Sequence, residues 1–218
     1  MIRKNNWMLA LAAASTLLFA CSKKKDDPDA GKATINYQVT SSNASSTDFT
    51  FTSAKGSGKQ IAFKGDGSTR VEEYLLNFNN VDFFSNGAAG AIASIKVPAG
   101  SYTNAQFNYQ MIPSRNPALE IRGTYNANGT PVPVRINLDQ FVEISTKMPS
   151  VTLEAGKTYT ATLNLDLAKV VEGITASHMT NATRTNGEVV IAYYSNPALL
   201  QTVVNNINNV IQHSVTIQ

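Results

Sequence analysis

Thr158-Tyr159-Thr160-Ala161-Thr162-Leu163-Asn164-Leu165-Asp166-Leu167 alternates apolar and polar side chains along its whole length. Tyr159, Ala161, Leu163, Leu165 and Leu167 face one way, and Thr160, Thr162, Asn164 and Asp166 face the other. That period of two is the mark of a half-buried strand. Burying its four large apolar side chains stabilises by ~1.5–3 kcal/mol each relative to exposure, which predicts a central strand.

The same alternation spreads outward from this segment. Ile35, Tyr37 and Val39 alternate with polar neighbours, as do Phe49 with Phe51 and Ile61 with Phe63. Val71 to Phe84 is apolar enough for a buried strand pair or one long strand bent around Asn79-Asn80. Ile95 and Val97 follow, then Thr103, Ala105, Phe107, Tyr109 and Met111 on one face. Leu119, Ile121 and Tyr125 pair naturally with Val132, Val134, Ile136 and Leu138 across Asn126-Ala127-Asn128-Gly129, because Asn-Gly accepts positive φ at little cost. Pro131 and Pro133 lack amide donors, so the returning strand is an edge or has a barely paired start. Val97-Pro98-Ala99-Gly100-Ser101-Tyr102 and Leu153-Glu154-Ala155-Gly156-Lys157-Thr158-Tyr159 each place a glycine turn before a strand-opening tyrosine.

One strong helix is expected at about 197–213. Pro197 suits a first helical position, with Ser195 or Asn196 as cap. Leu200, Val203, Val204, Ile207, Val210 and Ile211 form one apolar stripe. The opposite face is uncharged Gln and Asn, the asparagines of poor helix propensity, so the helix should exist by packing on a sheet. A membrane-surface helix would carry Lys and Arg on its polar face, and this one has none. Leu167 to Glu172 can form a further helical turn, and Val215 with Ile217 a last short strand. The expected fold is mainly β: an antiparallel β-sandwich, transthyretin- or immunoglobulin-like, with one C-terminal amphipathic helix packed on it.

The 218 residues include 18 basic and 15 acidic side chains, two histidines, one tryptophan and one cysteine. A charged fraction of 15% with 43% apolar residues describes neither a polyelectrolyte nor a helical membrane bundle. The single cysteine excludes an internal disulfide framework and a cysteine-based zinc site. Residues 1–20 read as a secretory signal: Arg3 and Lys4 precede an apolar stretch from Trp7 to Ala20, too short for a comfortable span. Its end, Leu18-Phe19-Ala20-Cys21, resembles the bacterial lipobox, in which the cysteine becomes residue one after cleavage. That resemblance implies acyl chains on the Cys21 thiol and on the new amine, enough for stable anchoring where one chain binds only marginally. An ordinary signal peptide with a chance cysteine is the alternative.

Ser22-Lys23-Lys24-Lys25-Asp26-Asp27-Pro28-Asp29 is a solvated tether. Its order of lysine then acid, at Lys25, Asp26 and Asp27, resembles the export signal of Bacteroidetes lipoproteins sent to the outer leaflet of the outer membrane. Without residues 1–20 the basic excess falls to 16 against 15, so nothing points to a nucleic-acid partner. Three segments result: a signal peptide at 1–20, the lipidated cysteine and tether at 21–32, and a single β-sandwich domain at 33–218. The lipobox, the tether, the Val97–Tyr102 stretch and Leu163-Asn164-Leu165-Asp166 together resemble an uncharacterised group of Bacteroidetes surface lipoproteins with β-sandwich domains. The resemblance implies a lipid-anchored protein of the outer membrane, surface-exposed or else facing the periplasm, and implies no chemistry.

Catalysis has little to stand on. His178 lies in a polar connection and His213 in the last helical turn, where a cation is favoured. No Gly-x-Ser-x-Gly elbow occurs, and Gly58-Lys59-Gln60 lacks the Ser or Thr of a phosphate loop. Asp66 and Glu72-Glu73 cannot supply the six to eight oxygens calcium takes. Haem capture by His178, Met179 and His213 is conceivable but rests on two histidines. The expectation is a non-enzyme with no cofactor and no metal. Outer-membrane lipoproteins of this phylum commonly capture polysaccharides, and such faces use exposed aromatic rings. Trp7 leaves with the signal, which puts the weight on Phe83-Phe84 and Tyr193-Tyr194. Neighbours in a strand point to opposite faces, so one ring of each pair should leave the core. A binding or accessory module, for a glycan or an outer-membrane protein partner, is the first reading. A pilus-like structural or adhesive subunit joined by strand exchange is the alternative.

Replacing Cys21 with alanine should abolish fatty-acid incorporation and release the protein from the membrane fraction. Persistent labelling of Cys21→Ala in radiolabelled-palmitate cultures would rule the lipid anchor out.

Overall fold

The computed structural model describes residues 29–46, 48–76, 81–84, 92–126, 129–210 and 215–217. Cys21, Lys25, Asp26, Asp27, Asn79-Asn80, Ile211 and His213 lie outside the described residues. The stretch that opens the reading is β11 (Thr158–Asp166), and it is central. It lies between β1 (Lys32–Ser42) and β14 (Val215–Ile217), with β6 (Ala93–Pro98) on the far side of β1. Ala161, Leu163 and Leu165 are buried beside Tyr37, Val39 and Ser41 in register, while Thr160, Thr162 and Asn164 form the half-buried opposite face.

The chain is mainly β, in open mixed and antiparallel sheets. A second sheet has the order β10 (Val142–Leu153), β7 (Gly100–Met111), β3 (Gly58–Asp66), β4 (Arg70–Leu76). A third has the order β12 (Arg184–Thr185), β13 (Glu188–Ile191), β9 (Val132–Leu138), β8 (Leu119–Tyr125), β2 (Phe49–Gly56), β5 (Val81–Asp82). The expectation of purely antiparallel pairing fails at two places, because β1 runs parallel to β11 and β13 runs parallel to β9. In each case the partners are far apart in sequence, so no hairpin dictates direction.

One apolar cluster joins the inner faces of all three sheets. Tyr37 on β1 crosses to the second sheet, where its hydroxyl donates to the Ala62 carbonyl at 2.7 Å and its ring lies 6.3 Å from Phe107. Phe63 meets Tyr102 and Phe107 edge-on, each at 5.2 Å, the offset geometry aromatic pairs prefer. β2 and β3 are nearly one strand: at Ser57 the chain leaves the third sheet and enters the second. The Ser57 hydroxyl donates to the Ile112 carbonyl there, and its amide to that of Ala118. Gly123 on β8 faces the β2 bulge between Phe51 and Ser53, where any Cβ would strike the Thr50 carbonyl and come within 2.8 Å of the Phe51 Cα.

Several local expectations shift. Tyr102, not Thr103, is buried, since Asn104 takes a φ of +48° and slips the alternation by one residue before Ala105. The 71–84 stretch is not a buried pair: β4 carries no fully buried residue, since it is the edge of the second sheet and only Val71 of its apolar side chains packs on the core, and β5 is two residues long. The hairpin from Tyr125 to Val132 forms in the expected register, with Gly129 at φ +86°. β9 is interior, but β13 pairs only with Val134 to Ile136, so Pro133 stands at a half-paired start. Three helices occur among the described residues: α1 (Leu167–Val170), where a further helical turn is expected, α2 (Ala176–Asn181), which replaces an expected polar connection, and α3 (Pro197–Val210).

α3 buries Leu199, Leu200, Val203 and Ile207 against α1, β9 and β13, and leaves Val204 half-buried. Asn206 fastens its far end by donating to the carbonyls of Val170 at 3.1 Å and Glu172 at 2.8 Å. A carboxylate at Ile207, which is 1% exposed, would be buried without a partner, a change that costs on the order of 3 kcal/mol or more. Ile207→Asp should lower the melting temperature sharply or prevent folding. A melt superimposable on that of the wild type would place the stripe outside the core.

Candidate functional site

Beyond β13 the chain makes a two-residue turn. The amides and carbonyls of Ala192 and Ser195 exchange hydrogen bonds of 2.7 and 3.1 Å, leaving Tyr193 and Tyr194 at the tip. Asn196 holds this turn from behind with a φ of +58°. Its side-chain amide donates to the carbonyls of Thr183 at 2.9 Å and Val190 at 2.8 Å, and its Oδ1 accepts from the Thr183 amide at 2.8 Å. Asn196 precedes Pro197 as expected of a cap, but its side chain serves the turn, while its carbonyl accepts from the amides of Leu199 and Leu200.

Tyr193 is 80% exposed and Tyr194 68%. Both rings leave the core, not one, because the pair occupies a turn and the strand rule of opposite faces does not apply. Phe83-Phe84 behaves differently, also in a turn. Phe83 is fully buried with its ring 6.2 Å from Tyr109, and Phe84 is half-buried against the same core. Its amide donates to the Asp82 carboxylate at 2.9 Å. Phe83 is therefore part of the core, Phe84 is partly covered by it, and the two tyrosines are the most exposed of the four aromatic candidates.

The tyrosine turn overhangs the outer face of the third sheet. Tyr194 accepts a 3.3 Å hydrogen bond at its hydroxyl from Asn137 Nδ2 on β9. Asn137 is cross-strand neighbour to Glu120 on β8, Glu120 to Lys55 on β2, and Lys55 to Asp82 on β5. A row perpendicular to the strands thus runs from the tyrosine pair to the opposite edge. There it opens into a cleft of about 400 Å³ lined by Lys55, Gly56, Asp82, Asn116, Pro117 and Glu120, among others. In the adjacent row, Arg122 on β8 lies opposite Arg135 on β9.

Each arginine has its own carboxylate. Arg122 donates twice to Glu120, from Nε at 2.8 Å and from the guanidinium Nη2 at 3.1 Å, and Arg135 pairs with Glu188 at 3.0 Å. The bidentate hydrogen bond from Arg122, reinforced by the charges of Arg122, Arg135 and Lys55, holds the Glu120 carboxyl below the usual carboxylate range despite partial burial. Glu120 is therefore an ionised acceptor at neutral pH, the opposite of the raised carboxyl a general acid needs. Two buried atoms on this face, Asn137 Oδ1 and Arg135 Nε, have no hydrogen-bond partner among the described residues. Such groups are few in native proteins and carry a desolvation cost until something satisfies them.

His178 is not in a loop but in the first turn of α2. Its amide donates to the Thr175 hydroxyl at 3.4 Å, and its Nδ1 accepts from the Thr175 amide at 3.2 Å. This reciprocal cap occupies one ring nitrogen in holding the helix start, a role the Thr175-x-x-His178 spacing could have signalled. Among the described residues no three His, Cys, Asp or Glu side chains converge as a metal site, and no helix is long and apolar enough to cross a membrane. No protein-family model, curated protein or solved structure matches this chain.

The Glu120–Arg122 pair has a measurable signature. With its folded pKa depressed, Glu120 contributes stability above the ordinary carboxylate range, and that contribution is lost as pH falls through the lowered value. NMR titration of the side-chain carboxyl should place its midpoint below that of a free glutamate, and Arg122→Ala should move it upward. A Glu120 midpoint indifferent to Arg122→Ala would show that the guanidinium does not set it.

Proposed function

We propose that this chain is a lipid-anchored lipoprotein of the bacterial outer membrane, displayed at the cell surface. In this reading Cys21 carries the acyl chains and Lys25, Asp26 and Asp27 direct export. Its folded part acts as a non-catalytic module that binds glycans, with a transthyretin- or immunoglobulin-like β-sandwich as the finer architecture. The observation that carries the binding reading is the pair Tyr193 and Tyr194, exposed at 80% and 68% on a turn that Asn196 ties down with three hydrogen bonds. Two large rings presented side by side on a fixed turn make a contiguous exposed patch, the kind of surface that marks a contact site. Tyrosine supplies a broad apolar face for a sugar ring and a hydroxyl for its edge. The Asn137 amide beneath adds donor and acceptor capacity next to that face.

A structural subunit assembling through strand exchange is the second reading. It draws on β4, an edge strand with no fully buried residue, whose Tyr74, Leu75 and Leu76 are exposed together. Arg70, Glu72 and Glu73 charge the first half of the same strand, the usual means of discouraging edge pairing, which favours the binding reading.

Tyr193→Ala and Tyr194→Ala, each confirmed as folded by circular dichroism, should weaken glycan-array binding by the full chain about 5-fold per ring, the equivalent of ~1 kcal/mol. Undiminished binding by both variants would remove the tyrosine turn from the site. Concentration-dependent polymers broken by charged substitutions at Leu75 and Leu76, together with no glycan signal, would establish the strand-exchange reading instead.

A further inference from the structure

Resting on the glycan reading, we infer that the ligand is an uncharged oligosaccharide of about three or more sugars, lying across the strands from the Tyr193-Tyr194 turn to the cleft at Lys55 and Asp82.

Length comes from the ladder. β5, β2, β8 and β9 are consecutive neighbours, so Asp82, Lys55, Glu120 and Asn137 stand in one transverse row. Three interstrand steps of ~4.8 Å make this row about 14 Å long before the tyrosine rings are added, the span of roughly three linked hexose rings. A single sugar stacked on Tyr194 leaves the 400 Å³ cleft unused. A chain reaches both. The row alternates groups that accept and donate to hydroxyls: the Asp82 carboxylate, the Lys55 ammonium, the Glu120 carboxylate and the Asn137 amide. At the tyrosine end, a sugar hydroxyl that takes the place of the Tyr194 phenol on the Asn137 amide comes within reach of the unpartnered Asn137 Oδ1. Asn137 is itself only 6% exposed, so this amide is a fixed part of the site rather than a mobile surface group.

The absence of net charge on the ligand follows from how the two arginines are already used. The row and its neighbour carry Lys55, Arg122 and Arg135 against Asp82, Glu120 and Glu188. The guanidinium fork of Arg122 is closed on Glu120, and Arg135 is held by Glu188. A bidentate arginine committed to a protein carboxylate does not offer that fork to a uronate or a sulfate. An anionic chain would run past three carboxylates with the Lys55 ammonium alone outside the two arginine pairs, and like-charge juxtaposition at close range is costly. A neutral chain meets the same groups as hydrogen-bond partners.

The test is a length and charge series by calorimetry with the full chain in detergent. One arm uses neutral gluco-, manno- and xylo-oligosaccharides of one to six rings, and the other uses oligogalacturonates and sulfated oligosaccharides of equal length. The expected result is that affinity for at least one neutral series rises by ~3- to 5-fold per ring up to three or four rings and then levels. Lys55→Met with Asp82→Asn, which preserves net charge, should flatten that rise, so that long chains bind no better than short ones. Tyr194→Ala should lower the whole series. Affinity independent of length, or tighter binding of the anionic chains, with Tyr194→Ala still weakening it, would overturn this inference and leave the glycan reading standing. A folded wild type that binds no carbohydrate of either kind would overturn both.

Discussion

The parallel ladder between β1 and β11 is the constraint on which the remaining structure depends. It runs in unbroken register from Thr34↔Thr158 to Ser42↔Asp166 and joins the first strand of the described chain to one that follows ten others. Thr34 and Thr158 are 124 positions apart, so closing this ladder carries a large loop-closure entropy, the kind of non-local pairing that slows folding. What repays it is the inner face. Ile35, Tyr37 and Val39 are carried into the core beside Ala161, Leu163 and Leu165, and Tyr37 then reaches the second sheet through the Ala62 carbonyl. Burial pushes the Tyr37 hydroxyl far above the ordinary phenol range, so this inter-sheet tie keeps its proton at any pH the protein meets.

The readable part of the sequence was the part written in local periodicity. β11, the hairpin from Leu119 to Leu138, the start of α3 at Pro197 and the short final strand all follow from side chains a few positions apart. Strand direction did not, because an alternating strand looks the same whether its neighbour runs with it or against it. The switch of β2 into β3 at Ser57 is hidden for a related reason: Lys55-Gly56-Ser57-Gly58-Lys59 reads as a turn, and only the Ile112 and Ala118 carbonyls that Ser57 binds show the chain running on into the next sheet. The phase slip at Asn104 required a positive φ that no motif announces for asparagine.

The site was half readable. Adjacent aromatic residues signalled that something must leave the core, and Tyr193-Tyr194 does, although as a turn tip and not as a strand. Phe83-Phe84 carried the same signal and went the other way, since Gly56 leaves room beside Met111 and Tyr109 for the Phe83 ring. The row from Lys55 through Glu120 to Asn137 had no sequence signature at all. Its members are ordinary polar residues on separate strands, brought together by register alone, and only the pairing of β2, β8 and β9 makes them neighbours.

The position of β1 also sets how the molecule bears force. Any load entering from the N-terminal side reaches β1 at Lys32, a strand hydrogen-bonded on both flanks, to β11 and to β6. Tension along a strand held in this way shears many backbone hydrogen bonds at once, whereas an edge hairpin pulled across its strands opens one bond at a time. Resistance to forced unfolding is governed by the unfolding barrier and not by equilibrium stability. Tension that enters at Lys32 therefore meets a strand braced on both flanks before it reaches any edge of the sheet.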